Sequence, residues 1–193
     1  MRLPLGGIST DAERAHAGWI KAGSTGPGRI EMDSVRFVKP QLRAWRLDAA
    51  RFVGCVFEQG TLSGAHLQNC ELERCELQGT NLLMAKMQGA VLLDTSLVGC
   101  FMGLTKGAGI RMQGGSLSGT DLEKCRWTDA VLRGVNLSET TWRGARLQNT
   151  RFEDCSLSGA DLSNAELDGA RFVRCQLDGA TLPPDAVLQD CRP

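Results

Sequence analysis

The chain repeats itself every five residues, and that period excludes both regular secondary structures as its frame. From Phe52 to Leu182, 26 of the 27 positions whose numbers end in 2 or 7 are Leu, Phe, Met or Trp, and the exception is Gly107. Two residues earlier runs a second column, from Ala50 to Ala180, which holds only Ala, Cys, Thr, Gly and Val apart from Ile110. An α-helix advances about 100° per residue, so residues five apart spiral around it. A flat strand sends successive fifth residues to opposite faces. A short extended segment followed by a turn keeps both columns on one side.

The turn residues are present at the required places. Positions ending in 4 or 9 include Gly54, Gly64, Gly79 and Gly89, with Asn69, Asn149, Asn164, Asp94, Asp129 and Asp154 among the others. These residue types tolerate the positive φ of tight turns. Four such corners close a square, so four pentapeptides make one coil, and stacked coils bury each other's interiors as a solenoid. Residues 30–187 supply about eight coils, roughly 38 Å of stack at a strand spacing of ~4.8 Å.

Segments such as CSLSGADLSNAELDGARF (155–172) and LSGTDLEKC (117–125) resemble the A(D/N)LXX signature of pentapeptide-repeat proteins. The resemblance extends over most of the chain. It implies an all-β solenoid, a right-handed quadrilateral β-helix of about eight coils with a short N-terminal capping helix. The expected division is a cap at 1–29, a β-helix at 30–187 and a tail at 188–193. Thr10 and Glu13 form a capping-box pattern and Gly23 a stop, predicting a helix over about 11–22 with Ala12, Ala15, Trp19 and Ile20 as its apolar stripe. That helix and the STGPGR loop are expected to cover the open end of the coil. The other end, TLPPDAVLQDCRP, is broken by Pro183 and Pro184 and is expected to be closed only by Val187 and Leu188.

The resemblance also implies a function. Well-characterised members of the family are bacterial proteins that bind DNA gyrase or topoisomerase IV and protect them from inhibitors. Their rods resemble duplex DNA in width and charge, with an acidic surface and a dimer joined through C-terminal helices. This chain departs on both counts: Lys plus Arg equals Asp plus Glu at 22 each, and its C-terminus has no convincing helix. A protein partner such as gyrase or topoisomerase IV is expected, with a homodimer as a further possibility and direct nucleic-acid binding left open. The repeat is a scaffold motif and brings no catalytic residues.

Composition narrows the classes further. The first residues, MRLPLGGISTDAERAHAGW, lack a secretion-signal core, and no stretch nears the roughly 20 apolar residues of a membrane span, so the expectation is a cytoplasmic protein with no membrane partner. Seven of the eight cysteines lie in the small-residue column, where a free thiol packs as a small hydrophobe, and neither His16 nor His66 makes a ligand pattern with Cys70 and Cys75. No metal, cofactor or catalytic residue is expected, because a filled coil offers no cleft with shielded, perturbed groups.

Two outer features mark candidate binding residues. Residues 20 apart stack on one face, and one such column reads Arg46, His66, Lys86, Lys106, Arg126, Arg146 before Glu166 ends it. Stacked like charges repel unless a partner compensates them; the neighbouring column adds Arg51, Arg111, Arg151 and Arg171. The second feature is an apolar cluster at outward positions in 83–104, namely Leu83, Met84, Val91, Leu93, Val98, Phe101 and Leu104, of which Leu83, Met84, Phe101 and Leu104 are expected to make the contact. An adaptor would use the apolar patch and a polyanion binder the ladder. The stretch GLTKGAGIRM joins the two, and Ile110 is expected to lean into the core slot that Gly107 empties.

Overall fold

A computed structural model describes residues 10–23 and 28–193. Nine parallel three-residue strands, from Glu31–Asp33 to Val187–Gln189, form one sheet in strict chain order along the stack. Their centre residues, such as Phe52, Leu72, Leu92, Met112 and Leu132, lie directly over one another. This sheet is the first face of a parallel β-solenoid of about eight coils. The second face begins with a two-stranded pairing at Arg36–Val38 and continues as single bridges, and the third and fourth faces are single-bridge columns throughout. The third runs from Gln41 through Phe101 to Thr181, and the fourth from Arg46 to Glu166.

Every residue ending in 4 or 9 from Ser34 to Gly179 has positive φ, as the turn chemistry requires. The inward columns are buried from Phe37 to Phe172 except at Trp45 and Gly115, which are half-buried. Cys and Thr recur in the small column for a further reason: their side chains donate one coil back, for example Thr120 Oγ1 to the Leu97 carbonyl at 2.7 Å and Cys100 Sγ to the Leu77 carbonyl at 2.8 Å. Each such bond occupies a spare carbonyl lone pair inside the core. All eight cysteines are free and seven are buried. Burial pushes the Cys70 and Cys100 thiols up to about 12, and no group of three His, Cys, Asp or Glu among the described residues is placed to hold a metal.

The one α-helix among the described residues, α1 (Thr10–Lys21), starts and ends one residue earlier than the sequence pattern suggests. The side chains of Thr10 and Glu13, and residues 24–27 of the expected loop, lie outside the described residues. The helix seats Trp19 in a buried position and packs Ala12 on the core, but Ala15 of the expected stripe is exposed. His16 takes the place expected of Ala15. It is fully buried, stacks on Trp19 at 5.6 Å, and accepts the Ile30 N–H at Nδ1 (3.0 Å). That bond satisfies a backbone donor at the top of the first coil, and the Arg29 guanidinium lies 6.0 Å from the Trp19 ring centre.

At the far end the ladder continues past 187 and takes up residues expected to be a tail: Leu188 pairs with Phe172, and Arg192 with Gln176. Val187 sits on Arg171, where a full coil would place residue 191. The turn through Pro183 and Pro184 cuts off the fourth face of this last coil, so the fourth-face column stops at Glu166. Val187 and Leu188 are 55 % and 49 % exposed, leaving this end uncovered among the described residues.

The slot at Gly107 is filled, but not by Ile110. A Cβ on Gly107 would lie 2.7 Å from the Trp127 indole, whose atoms are its nearest neighbours. Trp127 occupies the same column one coil later, and its Nε1 donates to Thr105 Oγ1 at 3.1 Å. Ile110 is buried in its own column. Gly115 is a second irregularity, unmarked by residue type: its φ of 76° departs from its column, and a Cβ there would collide with the Thr95 backbone.

Candidate interaction corner between the third and fourth faces

The basic column forms as one continuous ladder. Parallel bridges join Arg46 to His66, His66 to Lys86, Lys86 to Lys106, Lys106 to Arg126 and Arg126 to Arg146. Its charge is unevenly answered. Arg146 pairs with Glu166 at 3.3 Å, and Lys86 Nζ lies 2.9 Å from His66 Nε2. An ammonium can only donate, so His66 accepts there and holds its proton on Nδ1. Among the described residues Arg46, Lys86, Lys106 and Arg126 have no carboxylate within 4.0 Å. The fourth face carries no acid between Asp48 and Glu166 on its outward positions, which there read Gln68, Gln88, Ala108, Thr128 and Gln148.

The first-face column differs. Arg51 is answered by Glu71 at 3.3 Å and Glu73 at 3.2 Å, and Arg151 pairs with Glu153. Among the described residues Arg111 and Arg171 of that column have no carboxylate within 4.0 Å either, but they are not on adjacent rungs; the unanswered cations on successive rungs, Lys86, Lys106 and Arg126, lie on the fourth face.

The apolar cluster is not one patch. The coil distributes it over three sides, with Val91 and Leu93 on the first face and Val98 on the second. Leu83, Met84, Phe101 and Leu104 do come together, on the third face and the corner that leads to the fourth. Leu83 covers Gly103, where a Cβ would meet Leu83 Cδ1 at 3.4 Å. Phe101 is 56 % exposed, Met84 53 % and Leu104 43 %. Met84 and Leu104 occupy turn positions at φ 60° and 58°. In the coils that follow and precede them, Lys124 (φ 55°) and Gly64 (φ 66°) take the same corner, and Gly144 (φ 61°) takes it one coil further on.

These two features line one groove. A concavity of about 670 Å³ runs along the corner, bordered by Met84 and Leu104 on one side and by Lys86, Lys106, Arg126, Arg146 and, at its far end, Glu166 on the other. Gly64 and Gly144 line it as well, and Lys124, held to Glu123 at 2.8 Å, continues the corner beside Leu104. The composite site was legible in part: the 20-residue offset gives the ladder, and the stretch 101–106 joins it to the apolar residues. Trp127, which fills the core behind the Lys106 and Arg126 rungs, was missed. Its position 20 residues after Gly107 is the signal that identifies it.

The comparisons agree with this architecture. Models of the pentapeptide repeats match residues 50–82 and 61–94, and a model of the pentapeptide repeat region matches residues 112–182. No curated protein matches. Among solved structures, full-length QnrB1, a plasmid-mediated fluoroquinolone resistance protein, is 19 % identical with a TM-score of 0.61, covering 84 % of this chain and 83 % of its own. HetL, a pentapeptide repeat protein involved in heterocyst differentiation regulation from the cyanobacterium Nostoc sp. strain PCC 7120, is 19 % identical with a TM-score of 0.52, covering 91 % and 92 %. Repeat, coil and corner chemistry agree, and the chain belongs to the pentapeptide-repeat family.

Proposed function

We propose that this chain is a non-enzymatic binding protein that holds a macromolecular partner along the corner between its third and fourth faces. The observation that carries this reading is the run of unanswered cations Lys86, Lys106 and Arg126 beside exposed Met84 and Leu104. Three costs coincide there. Like charges on adjacent rungs repel, large apolar side chains face water, and bulky residues in the left-handed region cost roughly 1–2 kcal/mol each. The fold does not require the apolar residues, since Gly64, Lys124 and Gly144 make the same corner in other coils.

The most specific form of this reading is an interaction with DNA gyrase or topoisomerase IV that protects them from inhibitors, in the cytoplasm. The likeness to a fluoroquinolone resistance protein supports it. The basic ladder distinguishes it from mimicry of DNA, because it presents cations where a duplex presents phosphates. A scaffold or adaptor that uses the apolar ridge is the second reading, favoured by the exposure of Met84, Phe101 and Leu104. The bare edge at Val187–Gln189 supplies a surface for self-association.

The topoisomerase reading is tested by adding purified protein to a gyrase or topoisomerase IV reaction with a fluoroquinolone. Retained activity is expected with the wild type and loss of that protection with Lys86→Glu plus Lys106→Glu. No effect on either enzyme at micromolar protein removes the topoisomerase assignment.

A further inference from the structure

We infer that the segment seated on this corner is an acidic amphipathic helix of a protein partner, about 13 residues long, lying along the axis of the rod. The inference rests on the corner being a binding surface and adds what it binds.

The columns set the geometry. Lys86, Lys106 and Arg126 occupy successive rungs, so at ~4.8 Å per rung they span about 9.6 Å. Helix residues i, i+3 and i+7 share one edge and span about 10.5 Å at 1.5 Å per residue, close enough for long lysine and arginine side chains to absorb the difference. An extended segment places same-side residues about 6.6 Å apart, which falls out of step with the rungs at once. Met84 and Leu104 are also one rung apart, the separation that an i, i+3 or i, i+4 apolar pair matches. Three carboxylates on one edge of the helix and an apolar pair on the next would meet ladder and ridge together.

Charge sets the length. The ladder carries Asp48 beside Arg46 on its first rung, and Glu166 and Asp168 follow its last. Between His66 and Arg146 lie about 19 Å of acid-free face, equivalent to ~13 helical residues. A long polyanion would run beyond this window and meet carboxylates at both ends. The fourth face also presents no Phe, Tyr or Trp at its outward positions for bases to stack on, and a phosphate backbone gains nothing from Met84 and Leu104. These observations favour a protein helix over a nucleic acid.

The test uses fluorescein-labelled 15-residue peptides with glutamates at i, i+3 and i+7 and leucines at i+1 and i+4 or i+5. A proline-interrupted version of each peptide and a 20-base-pair DNA duplex serve as comparison probes. Binding is followed by anisotropy at 50 and 150 mM NaCl. Replacing Met84 and Leu104 by Gly removes the ridge while giving the corner the residue its φ prefers, so the thermal midpoint is expected to hold or rise. That variant is expected to weaken helical-peptide binding about 10-fold or more. Lys106→Glu with Arg126→Glu should weaken it by at least about 10-fold and flatten its salt dependence. Equal binding of helical and proline-interrupted peptides overturns the inference, and so does the absence of helical-peptide binding at millimolar concentration. Tighter binding of the duplex, unaffected by the glycine variant, also overturns it while leaving the corner as a polyanion site. The topoisomerase reaction reads the function separately, so the two can fail independently.

Discussion

Gly107 and Trp127 show how a single vacancy is absorbed in a repeat that otherwise tolerates none. The pair divides between two coils the volume that two leucines fill elsewhere in the column. Restoring the repeat with Gly107→Leu is therefore expected to destabilise the protein, because a side chain at 107 must enter space held by the indole. Overpacking of this kind costs about 1–3 kcal/mol. Trp127→Leu alone opens a cavity and leaves Thr105 Oγ1 without its donor, at a cost of similar order. The double variant should recover at least about 1 kcal/mol relative to the sum of the two single losses, measured by urea unfolding. Strict additivity would show that the two sites do not share one space. A residue-by-residue reading marks Gly107 as a defect and looks for the remedy nearby, at Ile110. The remedy lies 20 residues away, because neighbours in this fold are set by the coil and not by the chain.

At the scale of elements, the two ends are finished differently. The helix closes one end through His16, whose neutral ring accepts the Ile30 N–H while fully buried. Burial is the main cause that holds its pKa below the usual 6.5; Arg29 adds to the effect, and Asp48 and the Gly28 backbone oppose it. A histidine with a depressed folded-state pKa contributes stability in full above its unfolded pKa and loses it as the pH falls through the folded one. Below that point Nδ1 carries a proton and cannot accept. The cap is expected to loosen between pH 6.5 and more acidic values, seen as a fall in the protection of the Ile30 amide relative to its intrinsic exchange rate at each pH. His16→Asn, whose Oδ1 accepts at any such pH, should flatten that profile. Unchanged Ile30 protection from pH 7 to pH 4.5 would remove the role given to His16. The sequence displayed a helix here, but the sealing side chain was not legible: histidine has no fixed preference for core or surface, and only packing against Trp19 decides it.

Over the whole molecule, what was legible is whatever repeats. The inward columns, the corners with positive φ and the basic ladder all follow from a period of five and a coil of 20, because identical local geometry imposes identical residue demands. What escaped is whatever ends or interrupts the repetition: the last coil cut short at Pro183 and Pro184, the burial of His16, and the scatter of Val91, Leu93 and Val98 onto other faces. The ladder and ridge, by contrast, meet as the sequence places them, since both are written in residues one coil apart.

The constancy of that stacking makes the pentapeptide the unit of the core but the coil the unit of the surface. Removal of Ser116–Thr120, a single repeat, would leave every inward column in phase, because Asp121 would enter where Ser116 stood. Everything downstream would nevertheless turn by a quarter revolution. Arg126 and Arg146 would rotate onto the third face, while Lys86 and Lys106 stayed on the fourth. Such a deletion is expected to keep a cooperative unfolding transition and parallel-β circular dichroism yet lose the partner. A chain that failed to fold would show instead that its sides are not interchangeable. In a molecule built this way, the smallest tolerated change in length is also a change of heading, and only steps of a full coil leave its outward message unaltered.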